Sequence, residues 1–420
     1  MIAPKGTKDV LPVEVHKWQY VEDKINDICE RFGYRQLRTP VFEYTELFDR
    51  GIGDTTDVVQ KEMYTFLDKG GRSITLRPEV TASAARSYLE HHLYAEPQPV
   101  KLYYVQSCYR YEKPQAGRLR EFHQFGVEVF GAESPAVDAE IISLAHTLLD
   151  ELKIKEVKLH INSIGCPVCR KEYNRALVEY FQSRKEELCG TCRERLEKNP
   201  LRILDCKSPV CSAIAKDAPV ILDYLCPDCS DHFTKLQSAL QGMQIAYEID
   251  PYIVRGLDYY TKTVFEFVSE SIGAQGTVCG GGRYDGLVEE LGGSPTPGVG
   301  FGLGLERLLL VLEQGQPDWH PASPLLFIAS IGVAAGQKAQ ELTYSLRRQG
   351  ISCEQDVMGR SVKAQMKYAN KLGVTYSLVL GDDEIACGRA AVKNMQTGEQ
   401  TELALDDLAQ FLMNQKEEGR

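Results

Sequence analysis

The sequence predicts a mixed α/β protein: an α+β domain on a mostly antiparallel sheet with flanking helices, a helical cysteine-rich insert, and a C-terminal α/β domain with a mixed sheet. Three observations carry this. Apolar and aromatic runs at Val100–Tyr111 and Phe122–Phe130 flank a Gly/Pro loop, the pattern of an antiparallel hairpin. Between Gly165 and about residue 240, four cysteine pairs punctuate polar helical sequence. Beyond residue 325 apolar strands alternate with helical patterns, as in an α/β unit. At 420 residues the chain is long enough for two or three domains and a large core.

Hydrophobic content of 43% and charged content of 25% are ordinary for a globular protein. No apolar run approaches the roughly 18 residues of a membrane span. Met1–Asp9 lacks the apolar core of a signal peptide, so a cytoplasmic location without membrane contact is expected. The net charge of −11 argues against indiscriminate nucleic-acid binding but leaves room for a local basic surface. Thirteen cysteines in a reducing compartment are expected to be thiols or metal ligands rather than disulfides.

Taken in order, Trp18, Val21, Ile25, Ile28 and Phe32 fall at helical spacing, and Gly33 ends that helix. Tyr34–Pro40 reads as a strand whose proline cannot donate to a ladder, which suggests an edge or an interface. Leu47–Thr56, with Gly51 and Gly53, reads as loop. Met63–Leu67 and Ser73–Leu76 form a hairpin, and Arg77–Thr81 is a turn opening a helix over Ala82–His91. Glu79 and Thr81 there either cap the helix or face a site. A helix over Pro135–Leu152 and a strand over Val157–Ile161 follow.

The insert holds three C-x2-C pairs, Cys166/Cys169, Cys189/Cys192 and Cys226/Cys229, and one C-x4-C pair, Cys206/Cys211. These spacings suit tetrahedral Zn²⁺, which would be structural because four thiolates leave no open position for chemistry. Reduced thiols without metal are the alternative, and the combination of pairs is open.

The hairpin carries Arg110, Glu112, Arg120, Glu121, His123, Gln124 and Glu128 in or beside strand. Half-buried strand rarely bears so many polar groups unless they line a site, although a solvated sheet with cross-strand ion pairs has the same look. Arg255–Tyr260 (RGLDYY) precedes a strand at Thr263–Val268. Val278–Gly286 contains three successive glycines, which permit close backbone approach to a ligand. Gly298, Gly300, Gly302 and Gly304 alternate at strand period, so they share one face on which a planar base could lie. Arg307 sits in the first turn of the next helix, Leu305–Glu313. No P-loop or dinucleotide fingerprint occurs. Gln314–Pro324, with Trp319, His320 and three prolines, reads as a linker. In the last domain Arg360, Lys363, Lys367 and Lys371 are spaced to share a helix face, either a phosphate-backbone footprint or a solvated surface.

Three separated arginines (Arg110, Arg255, Arg307), several carboxylates and a glycine face suit phosphoryl-type chemistry, in which cations stabilise charge on phosphate oxygens. On these residues the chain resembles a class II aminoacyl-tRNA synthetase of the bacterial histidyl family. The helix and strand ending in Pro40 are similar to the family's first motif, at a dimer interface. Tyr109–Phe130 resembles its second motif and Gly298–Leu310 its third. Arg255–Tyr260 and Gly280–Gly286 resemble its histidine-specific motifs, and Lys5–Asp9 and Leu76–Glu79 also fit. The cysteine density of the insert departs from the shared pattern.

The resemblance implies a ligase that activates L-histidine with ATP and Mg²⁺ and transfers it to tRNA(His), working as a homodimer. It implies that Arg110 and Arg255 hold the α-phosphate, that Glu112 faces ATP, that Arg307 meets the distal phosphates or the base, and that Gly302 and Gly304 lie under adenine. Glu79 and Thr81 would receive the ammonium of histidine, with Glu128, Gln124, Tyr259, Tyr260 and Tyr284 around its imidazole. Gln115, Arg118 and Arg120 would guide the acceptor end of tRNA, and Arg360, Lys363 and Lys367 would face the anticodon. Residues 1–164 and 241–322 would be the two parts of the catalytic domain, 165–240 the insert and 325–420 the anticodon-binding domain. A non-catalytic regulatory paralogue is the rival. It usually lacks the C-terminal domain and the catalytic arginines, all of which are present here.

Overall fold

The computed structural model describes residues 1–53, 56, 58–206, 208–269, 276–315, 321 and 323–418. The chain divides into two compact units, Met1–Trp319 and His320–Arg420. The linker expected around Trp319 and His320 lies largely outside the described residues.

The first unit opens with α1 (Pro12–Arg31), whose proline sits in the first turn, where no N–H is required, and whose Val21, Ile25, Ile28 and Cys29 are buried. The strand expected over Tyr34–Pro40 is laddered at β1 (Arg35–Gln36), parallel to the strand Val100–Tyr109 at the sheet edge. After β2 (Phe42–Tyr44) the loop expected over Leu47–Thr56 is instead largely helix, α2 (Thr45–Ile52). Leu47, Phe48 and Ile52 give α2 a buried face. Gly51, read as a breaker, is a packing glycine: a Cβ there would sit 3.2 Å from Ala82 Cβ. Strands β3 (Tyr64–Leu67) and β4 (Ser73–Leu76) complete a three-stranded sheet ordered β2-β4-β3, and α3 (Thr81–Glu90) follows.

The charged hairpin is β5 (Val100–Tyr109) and β6 (Glu121–Phe130), paired in register from Val100↔Phe130 to Tyr109↔Glu121. Next come α4 (Pro135–Glu151), capped by Ser134, and β7 (Val157–Ser163). The insert contributes α5 (Pro167–Gln182), α6 (Gly190–Lys198) and α7 (Pro209–Ala215), packed around a small core of their own that includes Tyr173, Leu177, Phe181, Leu196 and Ile214, and then α8 (Pro227–Gly242), whose Phe233, Leu236 and Leu240 join the main core instead. The chain returns through β8 (Glu248–Ile249), β9 (Thr261–Ser269), β10 (Thr277–Arg283), α9 (Leu287–Glu290), β11 (Gly298–Gly304) and α10 (Leu305–Gln314).

These strands make one eight-stranded sheet, β1-β5-β6-β11-β10-β9-β7-β8, antiparallel except at its two ends. Alternate residues of a strand point to opposite faces. Phe125, Val127, Val129, Phe265, Phe301 and Leu303 therefore go down into the main core against α1, α4, α8 and α10. Gln124, Gly126, Glu128 and the alternating glycines go up, onto the face that carries the site.

The second unit holds β12 (Leu326–Ser330), α11 (Val333–Arg348), β13 (Cys353–Gln355), α12 (Val362–Leu372), β14 (Tyr376–Leu380), α13 (Asp382–Cys387), β15 (Arg389–Asn394), β16 (Gln400–Ala404) and α14 (Leu408–Glu418). Its sheet runs β13-β12-β14-β15-β16, the first three strands parallel and the last two added antiparallel. The β15–β16 hairpin escaped the sequence reading because its strands are short, polar and half exposed. The basic face expected on helix 360–371 loses one member. Helix α12 starts at Val362, and Arg360 lies before it, held by Asp356 at 2.7 Å and stacked 4.4 Å over the Tyr368 ring. Lys363, Lys367 and Lys371 remain exposed along α12.

Candidate functional site

Two rows of the upper face define the floor of the site. Glu266, Gly280, Gly302, Gly126 and Tyr104 align across β9, β10, β11, β6 and β5. One step along lie Val264, Gly282, Gly300, Glu128 and Leu102. The glycines share a face, as their alternation predicted, but the face is not bare. A Cβ at Gly280 would meet the Arg255 guanidinium at 2.5 Å, and one at Gly302 would run into the Gln124 amide. Cβ atoms at Gly300 and Gly298 would strike Glu128 and Tyr284. Gly304 alone of these has nothing within 4 Å.

One end of the face is a buried acidic pocket walled by tyrosines. The Glu128 carboxylate accepts Thr81 Oγ1 at 2.7 Å and Tyr104 Oη at 2.9 Å on one oxygen and Tyr284 Oη on the other. Burial nonetheless pushes the Glu128 carboxyl up to about 8, against the effect of those three donors. The Glu79 carboxylate accepts the backbone N–H groups of Thr81 at 2.7 Å and Ala82 at 2.9 Å, so it does cap α3. Its pKa is also raised, chiefly by burial. Tyr259 and Tyr260 are buried beside them, with ring centroids 4.6 Å apart and Tyr259 edge-on to Tyr284 at 5.6 Å.

The other end is a cavity of about 190 Å³ lined by Arg110, Arg118, Arg255, Arg307, Glu112 and Glu306, among others. Arg110 is held by the Pro78 carbonyl at 2.8 Å and lies 5.4 Å over the Phe122 ring. Arg307 donates to the carbonyls of Gly117 at 3.1 Å and Thr277 at 2.9 Å. Burial, together with the nearby positive charges of Arg118 and Arg110, lowers the Arg307 pKa. So many cations around one small space, against two glutamates, are suited to a polyanion. Between the two regions stands Arg255, ion-paired with Glu266 and 5.7 Å from the Tyr260 ring centroid.

Residues 6–308 match the family model for histidyl-tRNA synthetase, and residues 326–415 match an anticodon binding domain. The chain belongs to the histidyl-tRNA synthetase family. It is 61% identical to the histidine–tRNA ligase of Acetivibrio thermocellus over 97% of this chain and 98% of that protein. It is 54% identical to that of Clostridioides difficile over 98% of each. The structure of apo S. aureus histidyl-tRNA synthetase superposes with a TM-score of 0.84 at 41% identity, covering 98% of this chain and 99% of that one. The activity is accordingly that of a histidine–tRNA ligase: histidine is activated with ATP to the adenylate, pyrophosphate leaves, and histidine passes to tRNA.

Within this synthetase framework, the residues expected around histidine and ATP come together on one face. Those expected at tRNA divide. Gln115 is exposed at the loop tip, where its backbone bridges to Arg118. Arg118 turns inward, its Nε 2.5 Å from Glu112, and lines the arginine cavity. Arg120 packs along Gly6 and stacks 3.9 Å over the Tyr111 ring. The eight paired cysteines gather into two groups of four.

Sequence reading missed two residues of the site. Glu266, the partner of Arg255, was visible as the one charge in the apolar strand Thr263–Val268. Tyr104, which serves Glu128, had no distinguishing mark in an aromatic run. Arg283, inside the motif Gly280–Gly286, belongs to the fold. It is fully buried and donates to Asp138 at 2.8 Å, to Asp285 at 3.0 Å and to the carbonyls of Ala132 and Ser134.

Proposed function

We propose that the arginine cavity binds the phosphates of ATP and the tyrosine-walled pocket binds histidine, so that the amino acid carboxylate meets the α-phosphate under Arg255. The carrying observation is the position of Arg255, whose guanidinium covers Gly280 beside the cavity and approaches Tyr260 of the pocket.

In this reading Arg110 and Arg255 bracket the α-phosphate. As histidine attacks in line, charge grows on the phosphoryl oxygens, and fixed guanidinium groups stabilise it without rearranging. The attacking carboxylate is already ionised near pH 7, so no general base is required. Arg307 and Arg118 take the distal phosphates, and adenine lies over Gly302 and Gly304. Mg²⁺ neutralises phosphate charge when bound. The oxygen donors at the cavity wall that suit it are Glu112 and Glu306, since Mg²⁺ takes one or two carboxylates alongside phosphate oxygens.

Glu79 and Thr81 receive the ammonium of histidine. Glu128, Gln124, Tyr259, Tyr260 and Tyr284 surround the imidazole, which needs an acceptor for one ring N–H and a partner for the other nitrogen. A pocket of this kind rejects apolar analogues, because they leave buried polar groups unpaired. Gln115 and the exposed lysines Lys363 and Lys367 are the tRNA contacts this reading retains, with residues 325–420 reading the anticodon.

The enzyme is read as a cytoplasmic homodimer. Supporting the dimer, Val41, Phe42, Tyr44, Phe66 and Leu67 are exposed on and beside the three-stranded sheet. No helix among the described residues is long and apolar enough to cross a membrane.

The test is histidine-dependent ATP–pyrophosphate exchange. Arg255→Ala should lower it by about 10²–10³, the scale of losing one preorganised charge-stabilising donor, with the fold intact by circular dichroism. Wild-type exchange driven by another amino acid and not by histidine would overturn the reading.

A further inference from the structure

We propose that the insert contains two separate tetrathiolate zinc centres, each built from two cysteine pairs. Cys166, Cys169, Cys226 and Cys229 form one, and Cys189, Cys192, Cys206 and Cys211 the other. In each group all four sulfurs lie within 4.8 Å of one another. Cys166 Sγ is 3.6 Å from Cys169 Sγ and 3.9 Å from Cys226 Sγ, and Cys189 Sγ is 3.9 Å from Cys206 Sγ. A tetrahedral ion about 2.3 Å from each sulfur places the sulfurs roughly 3.8 Å apart. Disulfide sulfurs bond at about 2.05 Å, and all thirteen cysteines are free.

The surroundings favour thiolate. Cys166, Cys189 and Cys226 occupy the N-cap positions of α5, α6 and α8, and Cys169, Cys192 and Cys229 lie in the first turns. Three helix N-termini therefore point their partial positive charge at the sulfurs. Backbone amides add hydrogen bonds, from Cys226 N to Cys169 Sγ at 3.1 Å and from Cys189 N to Cys211 Sγ at 3.2 Å. One cysteine pair enters each centre from its first half and one from its second, so both centres cross-link distant segments. The first ties the entry of the insert, just after β7, to its exit at the start of α8. The second closes the turn between α6 and α7. Binding Zn²⁺ to four thiols releases protons and leaves a closed site, so the ion serves the fold rather than the reaction. A segment of this size with a small core gains most from such staples.

The experiment is metal analysis of the full-length protein purified without chelator and, in parallel, reconstituted with Zn²⁺ under reducing conditions. Two equivalents of zinc per chain are expected, falling to one in Cys229→Ser and to one in Cys211→Ser. Should either variant fail to fold, Co²⁺ substituted into the wild-type chain keeps the question open to measurement: two equivalents with tetrahedral thiolate charge-transfer bands support the proposal. Zinc below about 0.2 equivalents after reconstitution overturns it, because closed thiolate sites bind tightly. A single equivalent abolished by either variant alone, or iron in place of zinc, overturns it as well.

Discussion

Asn199, in the insert, donates its side-chain amide to Asp258 at 3.2 Å, inside the loop that carries Arg255. Arg202 adds a bond to the Gly256 carbonyl at 2.7 Å. The insert thus braces the histidine motif from outside the sheet. Asn199→Ala combined with Arg202→Ala should raise KM for histidine about 3- to 10-fold, the worth of one or two hydrogen bonds, and lower kcat as well, since the same loop carries Arg255. Steady-state exchange kinetics with histidine varied would show both effects.

The raised pKa of Glu128 makes stability depend on pH. Its value moves from the ordinary 4.5 to about 8 in the folded chain, chiefly through burial. Between those values the folded chain holds a proton that the unfolded chain has lost. The stabilisation is complete below about pH 4.5 and is lost as pH rises through 8. Glu128→Gln carries the neutral shape at every pH. The unfolding midpoint of the wild type should therefore fall relative to Glu128→Gln as pH is raised from 5 to 8, and parallel curves would contradict this.

Two glycines of adjoining strands should separate function from fold. A methyl group at Gly304 meets nothing within 4 Å, so Gly304→Ala should unfold like wild type yet bind ATP more weakly. A methyl group at Gly281 points the other way, into the Gly300 carbonyl and Phe301, whose Cβ would be 2.6 Å off. Gly281→Ala should cost about 1–3 kcal/mol, as overpacking does. Urea melts and ATP titrations of the two variants test both halves.

Arg283→Ala should destabilise by about 3–5 kcal/mol, because it strands a buried carboxylate. Asp138 is fully buried and, among the described residues, would keep the side chains of His232 at 2.7 Å and Thr263 at 2.6 Å. Denaturant unfolding would measure the loss, and a change under 1 kcal/mol would show that the pair is dispensable.

Much of the site was legible because strand period is rigid. Glycines at 298, 300, 302 and 304 had to share a face, and so did Gln124 and Glu128. What period cannot show is which strand lies alongside. The pairing of Gly302 with both Gly126 and Gly280 is a matter of sheet order, and so is the neighbourhood of Gly280 and Glu266 over which Arg255 lies. The cysteine pairing was hidden for a similar reason, since α5 to α8 must pack before residues sixty apart can meet. Helix α2 was lost to an over-reading of glycine: Gly51 is there for closeness to Ala82, not for a turn.

The side chains above the glycine floor bear on inhibition. Gln124 fills the space over Gly302 and Arg255 the space over Gly280. On the proposed reading Arg255 keeps its seat, and a nucleotide that lays adenine over Gly302 must first turn the Gln124 amide aside. A compound that leaves Gln124 seated and extends only over Gly304 would engage a shape that bound ATP does not offer, and its competition with ATP would be decided by one rotamer rather than by overlap.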